Sequence, residues 1–226
     1  MTALFATEAA RDAYPDLVAG IPVTVVGDRA LGGLAETVTP QGLVGVAAAL
    51  DRPVADAVGP GAKLVPVLVD PRDPGNSGAV VRVADAAGAD AVVFAATPGG
   101  GSVDVHNGKC VRASTGSVFH LPIGSGTLAE AVALLRERGL RVLAADGGAA
   151  AAVDIDEITA DLAAPTAFLF GNEAHGLPPD ALAAADAVVR VPIHGRAESL
   201  NLAVAAALCL YAAAKAQRGA PGRAHR

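Results

Sequence analysis

The chain has 226 residues, 52% of them hydrophobic and 18% charged, which supports one sizeable core plus a small appendage and excludes bulk disorder. Its net charge of -6 argues against a generic nucleic-acid binder, since neutralising phosphates requires an excess of cations. The two cysteines, Cys110 and Cys209, fit neither a disulfide framework nor a zinc site, and no signal-peptide pattern opens the chain, so a cytoplasmic protein is expected.

In chain order, residues 1–50 read as short alternating elements: a strand at 4–6, a helix over about 8–19, a strand at 23–26, a short element at 31–36 and a strand at 43–47. Seven acids against three arginines fall in residues 1–56, a net of -4, so the rest of the chain is close to balanced. Residues 51–63, with Pro53, Gly59, Pro60 and Gly61, read as linker. From Leu64 to residue 217, apolar runs bounded by turn signals alternate with helical stretches, which implies an α/β domain with a parallel sheet. Strands are expected at 64–69, 91–95, 117–121, 141–145, 166–170 and 187–191. Helices are expected at 77–87, 127–138 with Gly139 just past the end, 179–185 and 199–217. The apolar run 200–214 is too short to span a bilayer and reads as a buried helix. From Lys215 onward the chain carries Arg218, Arg223 and Arg226 and no acid, so 218–226 form a basic tail.

Three stretches carry chemistry. Asn76-Ser77-Gly78 follows a strand and the turn Asp73-Pro74-Gly75, with Asn76 placed to cap a helix that presents Arg82 about two turns on. A guanidinium there suits bidentate contact with a phosphate; pairing with Asp85 or Asp70 is the purely structural alternative. Phe170-Gly171-Asn172-Glu173-Ala174-His175-Gly176 ends a buried strand in a loop where Gly171 admits close backbone approach and Gly176 admits positive φ; Glu173 would face whatever binds. Val191-Pro192-Ile193 leads to Glu198-Ser199-Leu200-Asn201, where Ser199 can cap a final helix with Leu200, Val204, Leu208 and Tyr211 along one apolar stripe. A further segment of loop-like spacing, Lys109 to Ser117, offers Arg112 and Ser114 as RNA or phosphate contacts.

In order and spacing these stretches resemble the three signature motifs of the SpoU/TrmH family, RNA ribose 2'-O-methyltransferases of the SPOUT superfamily, over about residues 64–217. The resemblance implies a parallel sheet flanked by helices with a C-terminal deep trefoil knot, S-adenosylmethionine as cofactor, no metal, and a homodimer whose sites combine residues of both subunits. It implies a catalytic Arg82, grouped with Asn76, Glu173, Ser199 and Asn201. It implies cofactor contacts from Phe170, Gly171, Glu173, Gly176, Val191, Ile193, Ser199 and Leu200, and RNA contacts from Arg82, Arg112 and Ser114. Thr37 to Gly42 resembles the end of the L30e-like RNA-binding domain that precedes many family members, about half of which fits into residues 1–50. That remnant favours 23S ribosomal RNA over tRNA as substrate, and no membrane role is implied.

Two readings compete. Gly124-Ser125-Gly126-Thr127, trailed by Asp146 about 20 residues on, has the pattern of a dinucleotide fold and of an NAD-dependent oxidoreductase. The shortened N-terminal segment fits a non-catalytic RNA-binding module. Cofactor binding separates the three.

Overall fold

A computed structural model describes residues 1–35, 37–149, 152–172 and 176–219. The chain divides into two compact units, Met1–Ala49 and Leu50–Arg226.

In the first unit, β1 (Ala3–Ala6), α1 (Glu8–Ala13), α2 (Pro15–Val18), β2 (Val23–Val25), α3 (Asp28–Leu34) and β3 (Leu43–Val46) follow in order. The sheet order is β2-β1-β3, with β2 parallel and β3 antiparallel to β1. One helix was expected over 8–19. Two form, because Pro15 pushes Tyr14 out of helical conformation and then serves as the first residue of α2.

The second unit contains β4 (Asp51–Pro53), α4 (Val54–Ala57), β5 (Leu64–Val69), α5 (Pro74–Ala87), β6 (Val92–Ala96), α6 (Gly108–Ser114), β7 (Ile123–Thr127), α7 (Leu128–Glu137), β8 (Arg141–Ala145), β9 (Val153–Asp154), β10 (Thr166–Phe170), α8 (Pro179–Ala183), β11 (Ala187–Arg190) and α9 (Leu202–Gly219). Its sheet has the order β4-β7-β6-β5-β10-β8-β11-β9 with every neighbouring pair parallel. Alternate side chains of the central strands divide the core. Leu64, Leu68, Phe168 and Phe170 pack with α5 and α9 on one face, and Val65, Val67, Ala167 and Leu169 pack with α4 and α7 on the other. Among the described residues no helix is long and apolar enough to cross a membrane.

Four expectations need correction. The segment 51–63 is not a free linker: β4 pairs with β7, and Val54, Ala57, Val58 and Ala62 are buried. A single turn of apolar spacing between Pro53 and Gly59 is too short a signal to see in sequence. The expected strand at 117–121 is a 3-10 turn over Ser117–Phe119, and the strand comes later, as β7. This disposes of the dinucleotide reading, because Gly124 and Gly126 lie inside that strand. A Cβ on Gly124 would lie 3.1 Å from the Ala57 side chain, and one on Gly126 2.9 Å from that of Val54, so these glycines let α4 lie flat on β7. The segment Lys109 to Ser117, whose spacing reads as loop, lies mostly in helix α6 (Gly108–Ser114). A Cβ on Gly78 would come within 2.2 Å of the Cys110 carbonyl oxygen, so the glycine of the first motif allows α5 and α6 to touch backbone to side.

The helix caps also differ. Asp73, not Asn76, caps α5: its side chain accepts from the Asn76 N–H at 2.8 Å, and Pro74 takes the first helical position. At α9 the cap is Asn201 rather than Ser199, its Oδ1 accepting from the Ala203 N–H at 2.9 Å. At α7 structure and expectation agree. Thr127 and Glu130 form a reciprocal capping box, and Gly139 follows the helix at φ +78°.

Candidate active site

Open parallel sheets place ligands at the carboxyl ends of their strands, where successive connections leave in different directions. A cavity lies there. About 500 Å³ in volume, it is walled by the segment after β8 (Asp146, Gly147, Gly148), by the end of β10 and its loop (Phe170, Gly171, Asn172, Gly176), by the exit of β11 (Arg190, Val191, Ile193) and by 198–202, with Asn76 of α5 at one side. The expected residues Asn76, Phe170, Gly171, Gly176, Val191, Ile193, Ser199, Leu200 and Asn201 therefore converge on one space, although they come from motifs separated by as many as 125 positions. Glu173 lies outside the described residues, as does His175.

Two contacts show how the walls are joined. Asn201 Nδ2 donates to Asn76 Oδ1 at 2.9 Å, which ties the start of α9 to the first turn of α5 and so connects the third motif to the first. The second contact is steric. A Cβ on Gly171 would sit 2.2 Å from both the carbonyl carbon and oxygen of Gly176 and 2.4 Å from the Leu177 nitrogen. The loop after β10 folds back on itself there, with Gly176 N–H donating to the Asn172 carbonyl at 3.0 Å and Gly176 at φ +67°. Close approach at Gly171 was expected toward a ligand; the backbone it admits is that of its own loop. The positive φ expected of Gly176 is present.

Arg82 projects from α5 exposed to solvent and outside the cavity lining. Among the described residues it makes no hydrogen bond or ion pair. Both structural partners considered for it are engaged: Asp85 binds His120 Nδ1 at 2.8 Å, and Asp70 accepts from the N–H and hydroxyl of Thr97. The His120 contact holds the Asp85 carboxyl below its ordinary pKa. Arg112, on α6, is also exposed and outside the cavity. Ser114 is fully buried and its hydroxyl donates to the Val111 carbonyl at 2.7 Å, so it cannot reach RNA. The helix α6 turns it inward, which a loop reading could not foresee.

Several lining residues carried no signal of their own. Asp146, Gly147 and Gly148 follow an ordinary strand, and Asp146 drew notice only through the dinucleotide pattern. Arg190 is paired with Asp154 at 2.5 Å, and the acids Asp146 and Glu198 also line the cavity. Cys209 also lines the cavity, but burial pushes its thiol up to about 12, so it stays protonated and is no nucleophile. No group of three side chains suited to hold a metal occurs among the described residues.

The sequence and the fold are similar to those of known proteins. The model of the SpoU rRNA Methylase family matches residues 63–211. The chain is 36% identical over 198 residues to the Bacillus subtilis 23S rRNA (guanosine(2553)-2'-O)-methyltransferase RlmP, covering 87% of this chain and 74% of that one. It is 38% identical over 154 residues to the Streptomyces viridochromogenes 23S rRNA (uridine(2479)-2'-O)-methyltransferase, covering 66% of this chain and 52% of that one. Among solved structures, an AdoMet-bound rRNA methyltransferase from Sinorhizobium meliloti superposes with a TM-score of 0.79 at 32% identity, over 95% of this chain and 79% of that one. With its three motifs closing one cavity at the carboxyl edge of a parallel sheet, the chain belongs to the SpoU rRNA methylase family.

Proposed function

We propose that this protein transfers a methyl group from S-adenosylmethionine to a ribose 2'-hydroxyl of RNA, with 23S ribosomal RNA as the substrate. The convergence of three distant motifs on one cavity of about 500 Å³ is the observation that carries the reading, and the volume is in the range of cofactor sites. The walls suit the cofactor. Backbone groups of Gly171, Asn172 and Gly176 and of Val191 and Ile193 offer hydrogen bonds to a purine edge, Val191, Ile193 and Leu200 offer apolar surface to its ring, and Asp146 and Glu198 give the cavity a negative balance that suits a cationic ligand, Arg190 being matched by Asp154. When bound, adenosylmethionine supplies a methyl group already activated by its sulfonium.

The protein's own contribution is then to place the nucleophile. Arg82, free of competing carboxylates among the described residues, would grip a phosphate beside the target nucleotide. Its positive charge would also ease loss of the 2'-hydroxyl proton, an assistance on the order of 10²- to 10⁴-fold. Asn76 and Asn201, joined across the cavity edge, would hold the two motifs in register, with Ser199 in the same wall; the catalytic role expected of Glu173 is proposed from its motif. Arg112 would add a phosphate contact from α6. Positioning supplies most of the acceleration.

A second copy of the chain completes the proposal. Val204, Leu208 and Tyr211 of α9 and Leu200 just before it are exposed, Val204 by 48% and Tyr211 by 52%, and an apolar surface beside the cavity suits an interface. Arg82 outside the cavity lining fits a site shared between subunits of a homodimer. The first unit is read as a shortened L30e-like RNA-binding domain, the C-terminal segment as the threaded part of a trefoil knot, and the protein as cytoplasmic. The test is incorporation of tritiated methyl from adenosylmethionine into protein-free ribosomal RNA, followed by alkaline hydrolysis. Radioactive alkali-resistant dinucleotides are expected, and label only in mononucleotides would refute ribose methylation.

A further inference from the structure

The acid Asp146 sits where two walls of the cavity meet. Its backbone N–H donates to the Val189 carbonyl at 2.9 Å, which anchors it to β11. Its carboxylate then faces two ways. One oxygen accepts from the Gly148 N–H at 2.8 Å, within its own segment, and the other faces the Leu177 N–H at 3.5 Å, across in the loop that follows β10. A Cβ on Gly176 would stand 3.2 Å from that second oxygen. The Gly176–Leu177 peptide is thus held between Gly171 on one side and the Asp146 carboxylate on the other, and the buried Leu177 side chain pins the far end of the loop to the core.

We propose that Asp146 is a positioning residue, a latch whose carboxylate locks the loop after β10 against the segment after β8 and so fixes the distance between the two cofactor-binding walls. This rests on the cofactor reading given above. Both oxygens are needed, because each receives a different backbone donor. A turn within 146–148 alone would be served as well by an asparagine, whose single carbonyl oxygen suffices for it. The latch would not, since the amide introduced by Asp146→Asn must turn its NH2 toward one of two N–H groups. The 3.5 Å contact is long for a hydrogen bond, and such contacts in empty sites tighten when ligand binds, so the latch is expected to close on the cofactor.

The experiment compares the full-length protein with its Asp146→Ala and Asp146→Asn variants by two measurements. The first is amide hydrogen exchange at Leu177 without cofactor, which requires no assumption about the ligand. The second is calorimetric titration with adenosylmethionine, with KM for the cofactor and kcat measured alongside. Both variants should exchange Leu177 faster, and each should bind adenosylmethionine roughly tenfold more weakly, the loss of about one hydrogen bond, with the defect mainly in KM. Wild-type behaviour of Asp146→Asn in both measurements would reduce Asp146 to a local turn and overturn the latch. So would unchanged exchange at Leu177 in either variant. A wild-type protein that binds no adenosylmethionine would refute the cofactor reading instead, and the exchange data would then decide the latch alone. Should Asp146→Ala not fold, Asp146→Asn carries the test by itself.

Discussion

Replacing Gly171 with alanine adds one methyl group at a place with no room for it. The new carbon would lie 2.2 Å from the carbonyl carbon and oxygen of Gly176, where non-bonded carbons rest at about 3.5–4.0 Å. The obstacle is backbone, so no side-chain rotation relieves it, and the fold-back of the loop must open by more than about 1 Å. Overpacking of this kind costs about 1–3 kcal/mol. For a chain of this size that lowers Tm by roughly 2–4 °C for each kcal/mol. Because the displaced peptide is a wall of the cavity, adenosylmethionine affinity should fall together with stability. Two other glycines separate the effects. Gly78→Ala meets the Cys110 carbonyl oxygen at an equally short 2.2 Å but lies outside the cavity lining, so it should lower Tm and spare cofactor affinity. Gly147→Ala lines the cavity with nothing among the described residues within 4 Å of the added carbon, so its Tm should not move. Scanning fluorimetry with calorimetric titration measures all three. A Gly171→Ala protein with wild-type Tm and wild-type affinity would refute the steric argument.

Arg82→Ala should leave adenosylmethionine binding intact while cutting methyl transfer by at least about 10²-fold, and Arg82→Lys should restore little because an ammonium cannot reproduce the guanidinium fork; near-normal transfer would remove its catalytic role. Asp73→Ala should destabilise the protein through the lost cap, by about 0.5–2 kcal/mol. Contact with Lys109 and then the Asn76 N–H hold the Asp73 carboxyl below its ordinary pKa of 3.8, so its contribution is present above that value and fades as pH falls through the lowered folded pKa. Urea titrations should therefore show the gap between wild type and variant at neutral pH and its closing in strong acid; a gap independent of pH would contradict this. Leu208→Asp, on the exposed apolar stripe, should shift the mass measured by light scattering from dimer to monomer, and a monomeric wild-type protein at micromolar concentration would refute the interface.

What could be read from the sequence depended on how far each signal extends. The central strands at 64–69, 141–145 and 166–170 were legible because buried parallel strands are continuous apolar runs, and α7 was legible because its cap and its terminal glycine both lie next to a helical pattern. Helix α4 was not, since a four-residue helix within the five residues between Pro53 and Gly59 carries no periodicity. Helix α6 was missed because its start, Asn107 and Gly108, has the composition of a loop, and what holds it is the packing of Cys110 and Ala113 on Gly78. The glycines of β7 misled for a related reason: in sequence a phosphate-binding loop and a strand thinned to admit a helix look alike. Within the site, the motif residues could be named but not their contacts. Only the folded chain shows that Asn76 meets Asn201, that Gly171 meets Gly176, and that Asp146 joins the same wall.

These contacts change how the motifs are to be understood physically. Gly78 packs one helix on another, Gly171 packs a loop on itself, Asn76 and Asn201 hold each other, and Asp73 rather than Asn76 caps α5. Each of these residues acts inside the protein before any ligand arrives, Asn76, Gly171 and Asn201 in the cavity wall and Gly78 and Asp73 in the helices behind it. Arg82 is different, being exposed with no carboxylate partner among the described residues, and an exposed guanidinium of that kind contributes little to stability. Variants should accordingly fall into two groups. Those at 78, 171, 76 and 201 should change stability or cofactor affinity, because their contacts exist in the free protein. Those at 82 should change only the rate with RNA, because the partner that residue needs is brought by the substrate.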